Sequence, residues 1–134
     1  MLDFRDAIAA QRESGLLRDI DRPVDIRYLG TLIEDSETAL LFNNVTDYNI
    51  PVVSGLMNSR ERMGLAYGCN FNEIQAKLRD GVARPIHHQL VNTGASREVC
   101  YQERDSVDLF SLPIPLFAQL DGGPMITAGV TIAS

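Results

Sequence analysis

The chain has 134 residues, a formal net charge of −6, and contents of 45% hydrophobic and 22% charged residues. These values are ordinary for one globular domain with its own core. Lys77 is the only lysine and most arginines adjoin acidic residues, as in Arg60-Glu61-Arg62, so we interpret them as solvated and exclude a phosphate-binding, nucleic-acid surface.

The sequence indicates a reduced, cytoplasmic protein. It has no apolar run long enough to span a bilayer, and its start lacks the basic-then-apolar pattern of a signal peptide. Its two cysteines, Cys69 and Cys100, do not make a disulfide framework and have no metal-type partner nearby in the sequence.

The first half of the chain predicts alternating helices and strands. Asp3 is suited to cap a helix over residues 3–15, with Phe4, Ala7 and Ile8 on one face and Gly15 as its stop. A short strand over 16–20 follows. Asp25 is suited to cap a second helix over 26–34, and 39–42 and 50–53 read as strands. Pro51 has no N–H to donate, so it is expected at a strand start or at a sheet edge.

Two more helices are predicted from capping-box spacings. Asn58 precedes Glu61 by three residues, and Asn70 precedes Glu73 in the same way. The second of these helices is expected to end at Gly81. Short strands are predicted over 86–91 and 98–102, so the overall pattern is α/β or α+β, without an internal repeat.

The last third of the chain differs in its sequence pattern from the first two thirds. Asp108 is expected to anchor the turn into Leu109, and the sequence Leu-Pro-Ile-Pro at 112–115 must be extended because each proline excludes helix from the preceding residue. A Gly-Gly turn at 122–123 leads into a β-branched run that predicts a buried strand over 125–133. Such a strand needs partners on both edges, and we therefore expect further protein C-terminal to Ser134.

The residues alone show no complete catalytic constellation. His87 and His88 would point to opposite faces of a strand, so we favour a structural or surface role over metal binding. The acidic residues Glu34, Asp35 and Glu37 lack a metal-type spacing and are interpreted as solvated. There is neither a G-x-G-x-x-G fingerprint nor a G-x-S-x-G nucleophile elbow.

Four elements in the right order resemble the UbiD family of prenylated-flavin-dependent decarboxylases. They are Leu-Asp-Phe-Arg-Asp-Ala-Ile at 2–8, Leu-Phe-Asn-Asn-Val at 41–45, Asn-Ser-Arg-Glu-Arg-Met at 58–63, and the run from Val-Asp-Leu at 107–109 to Asp-Gly-Gly-Pro-Met-Ile-Thr-Ala-Gly at 121–129. The last of these is the most specific, and the resemblance covers nearly the whole chain.

The resemblance implies an N-terminal α/β region at 1–104, then a Pro-rich connector and the first strand of a split β-barrel flavin-binding domain at 105–134. It implies prenylated FMN as cofactor, with a divalent metal (Mn or Mg) and often potassium. The family's catalytic residues and metal ligands lie beyond the strand at which this chain ends, so none is carried over. Thr127 is the one matched position expected near the flavin, where a packing role is the alternative.

The implied function is that of the N-terminal portion or a subunit of a carboxy-lyase acting on aromatic, heteroaromatic or α,β-unsaturated carboxylic acids. Its partners would be the carboxylic acid substrate, the remainder of the enzyme, continuous or as a separate chain, and further copies in a homo-oligomer. The chain alone would be inactive. The alternative is a non-catalytic binding or assembly module derived from that family.

Overall fold

The computed structural model describes residues 3–87, 107–118 and 120–126. The fold is α/β, as predicted, and the helices and strands follow the predicted order through residue 83. Within the described residues they are α1 (Phe4–Glu13), β1 (Leu17–Ile20), α2 (Leu29–Glu34), β2 (Ala39–Phe42), β3 (Val52–Ser54), α3 (Arg60–Tyr67) and α4 (Ile74–Ala83).

Within the described residues, the sheet has three strands in the order β1-β2-β3. β1 runs parallel to β2, with Leu17 opposite Ala39, and β3 runs antiparallel to β2, with Leu40 opposite Ser54. Pro51 directly precedes β3, in agreement with the predicted position at a strand start or an edge, and β3 is an edge strand of the sheet that the described residues form. The sheet edge tolerates a residue without an N–H donor, which explains why proline is accommodated there.

The core lies where β2 meets α2. Leu29 and Phe42 are completely buried, and Leu40 is only 2% exposed. Val24 and Val45 extend the cluster, and a parallel bridge pairs their backbones. The central strand therefore carries the largest share of the apolar packing, as its continuous Ala-Leu-Leu-Phe sequence predicts.

α1 begins after the predicted cap Asp3 and ends at Glu13, two residues before the predicted end at residue 15, and only part of its predicted apolar face is buried. The Asp6 N–H donates to the Asp3 carboxylate at 2.8 Å, and Gly15 follows the helix at φ +71°. Ala7 and Gln11 are buried, whereas Phe4 is 63% exposed. The apolar spacing predicts that Phe4 is buried, but α1 instead contributes the polar side chain of Gln11 to the interior.

One of the two predicted capping boxes is wrong. The N-cap of α3 is Ser59, whose hydroxyl accepts from the Arg62 N–H at 3.2 Å, so Asn58 lies one residue too early for the expected pairing with Glu61. The second box is present, and the Asn70 N–H donates to the Glu73 carboxylate at 3.1 Å.

α4 also differs from expectation at its end. It continues through Gly81 to Ala83, because nothing crowds Gly81 and its backbone keeps the helical conformation. No residue of α4 is buried, so its apolar side chains Leu78 and Val82 face outward at 48% and 84% exposure.

Several predictions concern residues outside the described part. Ile86 and His87 are in irregular backbone, and the rest of the strand predicted over 86–91 and all of 98–102 lie outside the described residues. The same holds for 127–133 of the final predicted strand, so the entry into a split barrel remains a prediction. Among the helices in the described ranges, none has the length and apolar character needed to cross a bilayer.

Candidate functional site

Thr127, the predicted flavin contact, lies outside the described residues, but the chain leading to it is described up to Ile126. We call residues 107–118 and 120–126 the connector. Its conformation, its attachment to the α/β region and the surface it forms are the structural observations that bear on the predicted site.

The connector begins with a capped turn. The Asp108 carboxylate accepts from the Phe110 N–H at 2.9 Å and starts a single 3₁₀ turn over Leu109–Ser111. This confirms the predicted role of Asp108. Leu112 then adopts an extended conformation at φ −88° and ψ 137°, as the following Pro113 requires.

A second turn closes around Asp121. The Asp121 carboxylate accepts from the Ala118 N–H at 3.0 Å, while the Asp121 N–H donates to the Ala118 carbonyl oxygen at 3.1 Å. Gly123 follows at φ +153°, a conformation that other residues rarely adopt. The Asp-Gly-Gly sequence therefore sets the path of the backbone into residues 124–126.

The connector is fastened to α2. A Cβ built on Gly30 would lie 3.5 Å from the Phe117 carbonyl oxygen and 3.6 Å from its Cα, so the connector backbone passes within van der Waals reach of this helix position. Phe117 itself remains 63% exposed. The contact fixes the connector by shape rather than by burying a large aromatic ring.

Between the connector and the α/β region lies an apolar pocket of about 310 Å³. It is bounded by one residue of the α/β region and six of the connector, namely Tyr48, Leu109, Phe110, Leu112, Ile114, Pro124 and Ile126. Its volume is at the lower end of the range for small-molecule sites. We call it the connector pocket, and it ends at the residue before Thr127.

The side chains that line the connector pocket are almost all apolar, so the pocket lacks the groups of a catalytic centre. The Tyr48 hydroxyl is the only polar side-chain group among its lining residues. Throughout the ranges that the structure describes, no group of three His, Cys, Asp or Glu side chains is placed to hold a metal ion. The pocket fits the apolar part of a ligand, and proton transfer or metal binding would need other residues.

A second cavity within the described residues is an open groove of about 1050 Å³ along α3, with a mixed lining that includes Glu61, Leu65 and Phe71. The Arg60 guanidinium lies over the Phe71 ring, 5.2 Å from the ring centroid. This positive charge is therefore engaged in a cation–π contact.

Two acidic side chains have lowered pKa values because arginines pair with them. Hydrogen bonds from Arg27 lower the pKa of Asp25 to about 2, and Asp25 also caps the turn before α2 by accepting from the Arg27 N–H at 2.9 Å. Hydrogen bonding from Arg12, at 2.8 Å, lowers the pKa of Asp19. The Arg12–Asp19 pair joins α1 to β1, whereas the Asp25–Arg27 pair is local to the turn before α2.

The sequence reasoning missed a buried polar pair. Arg62, interpreted as solvated, is 5% exposed, and Gln11 is completely buried. The Gln11 side-chain amide donates to the Leu56 carbonyl oxygen at 2.9 Å and to the Arg62 carbonyl oxygen at 3.4 Å. The interpretation of Arg62 fails because α3 packs against α1, and the neighbouring Glu61 in the sequence does not report that tertiary burial.

Two family models match consecutive parts of the chain. The model of the 3-octaprenyl-4-hydroxybenzoate carboxy-lyase N-terminal domain matches residues 8–81. The model of the 3-octaprenyl-4-hydroxybenzoate carboxy-lyase Rift-related domain matches residues 89–134.

Curated relatives match over almost the whole chain. The anhydromevalonate phosphate decarboxylase of Methanothermobacter thermautotrophicus is 29% identical over 133 residues, which is 99% of this chain and 30% of that protein. The protein of the same name from Methanosarcina mazei is 32% identical over 133 residues, with 98% and 30% covered. The chain therefore spans about 30% of the length of these relatives.

Solved structures show the same backbone arrangement. An evolved dimeric form of the UbiD-class enzyme HmfF from Pelotomaculum thermopropionicum, in complex with prFMN, has a TM-score of 0.77 and 30% identity, with 90% of this chain and 29% of that chain covered. Apo 3,4-dihydroxybenzoic acid decarboxylase from Klebsiella pneumoniae has a TM-score of 0.74 and 26% identity, with 92% and 29% covered.

Proposed function

The chain belongs to the UbiD carboxy-lyase family, and from this premise we propose that it is the N-terminal portion or a subunit of a prenylated-FMN-dependent decarboxylase. The substrates would be aromatic, heteroaromatic or α,β-unsaturated carboxylic acids. The observation that carries the proposal is the match of two consecutive family models in family order, together with a TM-score of 0.77 to an enzyme solved with prFMN.

The role we propose for this chain is to position the entry to the cofactor domain. The Asp108 and Asp121 turns shape the connector from within, and Phe117 packs beside Gly30 of the α/β region. We place the boundary between the two parts at residues 104 and 105. On this proposal, rigid attachment of the connector sets where residues 127–133 enter the flavin-binding barrel.

The described residues fit only the apolar part of the proposed cofactor. The connector pocket offers an apolar wall that ends at Ile126, and Thr127 would come next, beside the flavin ring system. Prenylated FMN, when bound, supplies the electron sink for loss of carbon dioxide, and the protein supplies orientation and proton transfer. We place the Mn or Mg ligands, any potassium site and the catalytic residues beyond Ser134.

The remainder of the enzyme is proposed as the chief partner, because the chain spans about 30% of its decarboxylase relatives. It would be either continuous with this chain or a separate polypeptide, in a homo-oligomeric, cytoplasmic assembly. The connector exposes Phe110, Leu120 and Met125 at 85%, 96% and 63%, and such exposed apolar residues are suited to cover by that remainder.

Native mass spectrometry with an absorption spectrum, on protein purified from its own source, tests the proposal. A yellow species that contains the remainder of the enzyme supports a decarboxylase. A colourless species of this chain alone or its homo-oligomer contradicts the proposal and supports the alternative, a non-catalytic module derived from the family.

The flavin contact of Thr127 is tested separately in the flavin-containing protein. Thr127→Trp is expected to reduce the flavin that remains bound after gel filtration, because a bulky side chain would occupy cofactor space. Thr127→Ser keeps the hydroxyl and is the matched control. Equal flavin content in the Trp variant and the parent would remove Thr127 from the site.

A further inference from the structure

α4 is an amphipathic helix whose apolar side is exposed. Ile74, Leu78 and Val82 follow one another at intervals of four residues, so they lie along one side of the helix. We call these three residues the α4 stripe. None of them is buried, and Leu78 and Val82 are 48% and 84% exposed. An apolar stripe of this kind ordinarily packs against other protein.

The charged side chains Lys77, Asp80 and Arg84 make their contacts within this chain. The Lys77 ammonium donates to the carbonyl oxygen of Tyr67, the last residue of α3, at 2.5 Å. The Arg84 guanidinium donates to the Asp80 carboxylate at 2.7 Å. Lys77 and Asp80 lie about 100° and about 160° around the helix from Leu78. Their contacts therefore leave the α4 stripe available to a partner.

α4 gains little stability from its surroundings. The helix has ten residues, whereas isolated helices shorter than about 12–15 residues are marginal in water. No residue of the helix is buried, and Gly81 lowers its helix propensity. Most helical stability in proteins comes from packing of an apolar face, so a partner on the α4 stripe would supply what the helix lacks.

Arg79 borders the α4 stripe and distinguishes between two kinds of partner. It follows Leu78 directly and has no ion-pair partner among the residues that the structure describes. An antiparallel pairing of two copies of α4 through Leu78 would set Arg79 beside its own counterpart, and like charges that close repel each other. A different protein surface can place a carboxylate at this position instead.

The part of the enzyme outside this chain is a partner of suitable size. This chain spans about 30% of its anhydromevalonate phosphate decarboxylase relatives, so most of such an enzyme lies outside it. The connector exposes apolar side chains such as Phe110 and Leu120 on another part of the chain. A remainder of that length is large enough to contact both the connector and α4.

We propose that the α4 stripe is a docking surface for the remainder of the enzyme. The partner surface is apolar at its centre and carries an Asp or Glu side chain opposite Arg79. The inference rests on the proposed function, because it requires a remainder that α4 can bind. It adds a contact in the α/β region to the cover of the connector, so the remainder would hold this chain at two places.

Cysteine labelling of the complete, flavin-containing enzyme tests the docking surface. Leu78→Cys and Ala76→Cys change the same helix about 160° apart around its axis, and both positions are exposed in this chain. Brief maleimide treatment and peptide mass spectrometry give the rate at each position separately from Cys69 and Cys100. The Leu78→Cys variant should label about tenfold more slowly, because access requires the docked surfaces to open. Equal rates in the two variants would overturn the proposal.

Val82→Cys is a second labelling variant, in case the loss of the Leu78 side chain itself weakens docking. Val82 belongs to the α4 stripe and is 84% exposed in this chain. The Val82→Cys variant should also label more slowly than Ala76→Cys in the complete enzyme. Rapid labelling at both stripe positions would show that nothing covers α4.

Arg79→Glu tests the charge of the partner surface. Amide hydrogen exchange of residues 74–83 in the complete enzyme should become about tenfold faster, because the reversed charge would face the proposed carboxylate and favour opening. Arg79→Lys keeps the positive charge and should exchange at nearly the parental rate. Parental exchange in Arg79→Glu would overturn the assignment of an acidic residue to the partner.

The labelling results also separate this proposal from the proposed function. A yellow enzyme in which Leu78→Cys and Ala76→Cys label equally would overturn the docking surface and leave the decarboxylase proposal intact. Slow labelling of Leu78→Cys in a colourless species made of this chain alone would overturn both. Native mass spectrometry of that species would then assign the cover to a second copy if it is a dimer, and to residues 88–106 if it is a monomer.

Discussion

Phe117 of the connector lies directly against Gly30 of α2, with its carbonyl oxygen 3.5 Å and its Cδ1 3.6 Å from the position of a Cβ on Gly30. These distances are ordinary contacts for a methyl group, but they leave no room for a longer side chain. The contact therefore shows that the connector lies close to α2. Its contribution to docking can be tested by changing the size of residue 30.

Gly30→Leu should detach the connector from α2. The larger side chain would overlap the Phe117 backbone, and overpacking of this kind costs about 1–3 kcal/mol. Faster proteolytic cleavage within residues 112–118 would show the loss of docking, and unfolding in urea would give the free-energy change. Gly30→Ala should cleave at the parental rate because a single methyl group fits.

Gly81→Ala is a matched helix control for these variants. Nothing lies within 4 Å of its added Cβ, so it reports helix propensity alone and should raise the free energy of unfolding by about 0.5–1 kcal/mol. If Gly30→Leu cleaved no faster than Gly30→Ala, the close contact with Phe117 would not be what holds the connector.

Phe42→Ala should be the most damaging single truncation in the central strand. Phe42 is completely buried, and removing a buried phenylalanine costs about 3–5 kcal/mol because a cavity remains. The urea midpoint should fall with little change in slope. Phe4→Ala is the control, since Phe4 is 63% exposed, and a comparable loss in both variants would contradict the assignment of the core to β2.

The sequence predicts the elements well wherever one local signal dominates. β2 is a continuous apolar run between turn residues, and Asp3 offers the only carboxylate before α1, so both agree with the structure. The cap of α3 was missed because Asn58 and Ser59 are adjacent and both can cap a helix. Only the position of the helix in the fold selects Ser59.

The candidate site is predictable only in part, for a physical reason. The turns at Asp108 and Asp121 are local, and the prolines restrict their neighbours directly, so the shape of the connector follows from the sequence. The contact between Phe117 and Gly30 and the burial of Arg62 depend on packing between distant segments. Periodicity does not report such contacts, and Thr127 remains a prediction.

Asp121→Ala should loosen the turn that leads to residue 127. The Asp121 carboxylate accepts from the Ala118 N–H, and losing a hydrogen bond of this kind costs about 1 kcal/mol. On the proposed function, flavin retention in the complete enzyme should fall as well. Asp121→Asn retains an acceptor and should behave nearly as the parent. Equal proteolytic rates around residue 120 in the alanine variant and the parent would show that the turn holds without the side chain.

Asp25 should titrate well below an ordinary aspartate. Its pKa is lowered from 3.8 to about 2, chiefly because the Arg27 side chain and backbone donate to its carboxylate. A lowered folded-state pKa means that the pair stabilises the fold above pH 3.8, and that this contribution is lost as the pH falls towards 2. The Asp25 carboxyl carbon shift, followed by NMR against pH, gives the midpoint. Arg27→Gln should move that midpoint up towards 3.8, because it removes the charged donor but keeps the chain length similar. A parental midpoint near 3.8, unchanged in Arg27→Gln, would show that the pair does not form in solution.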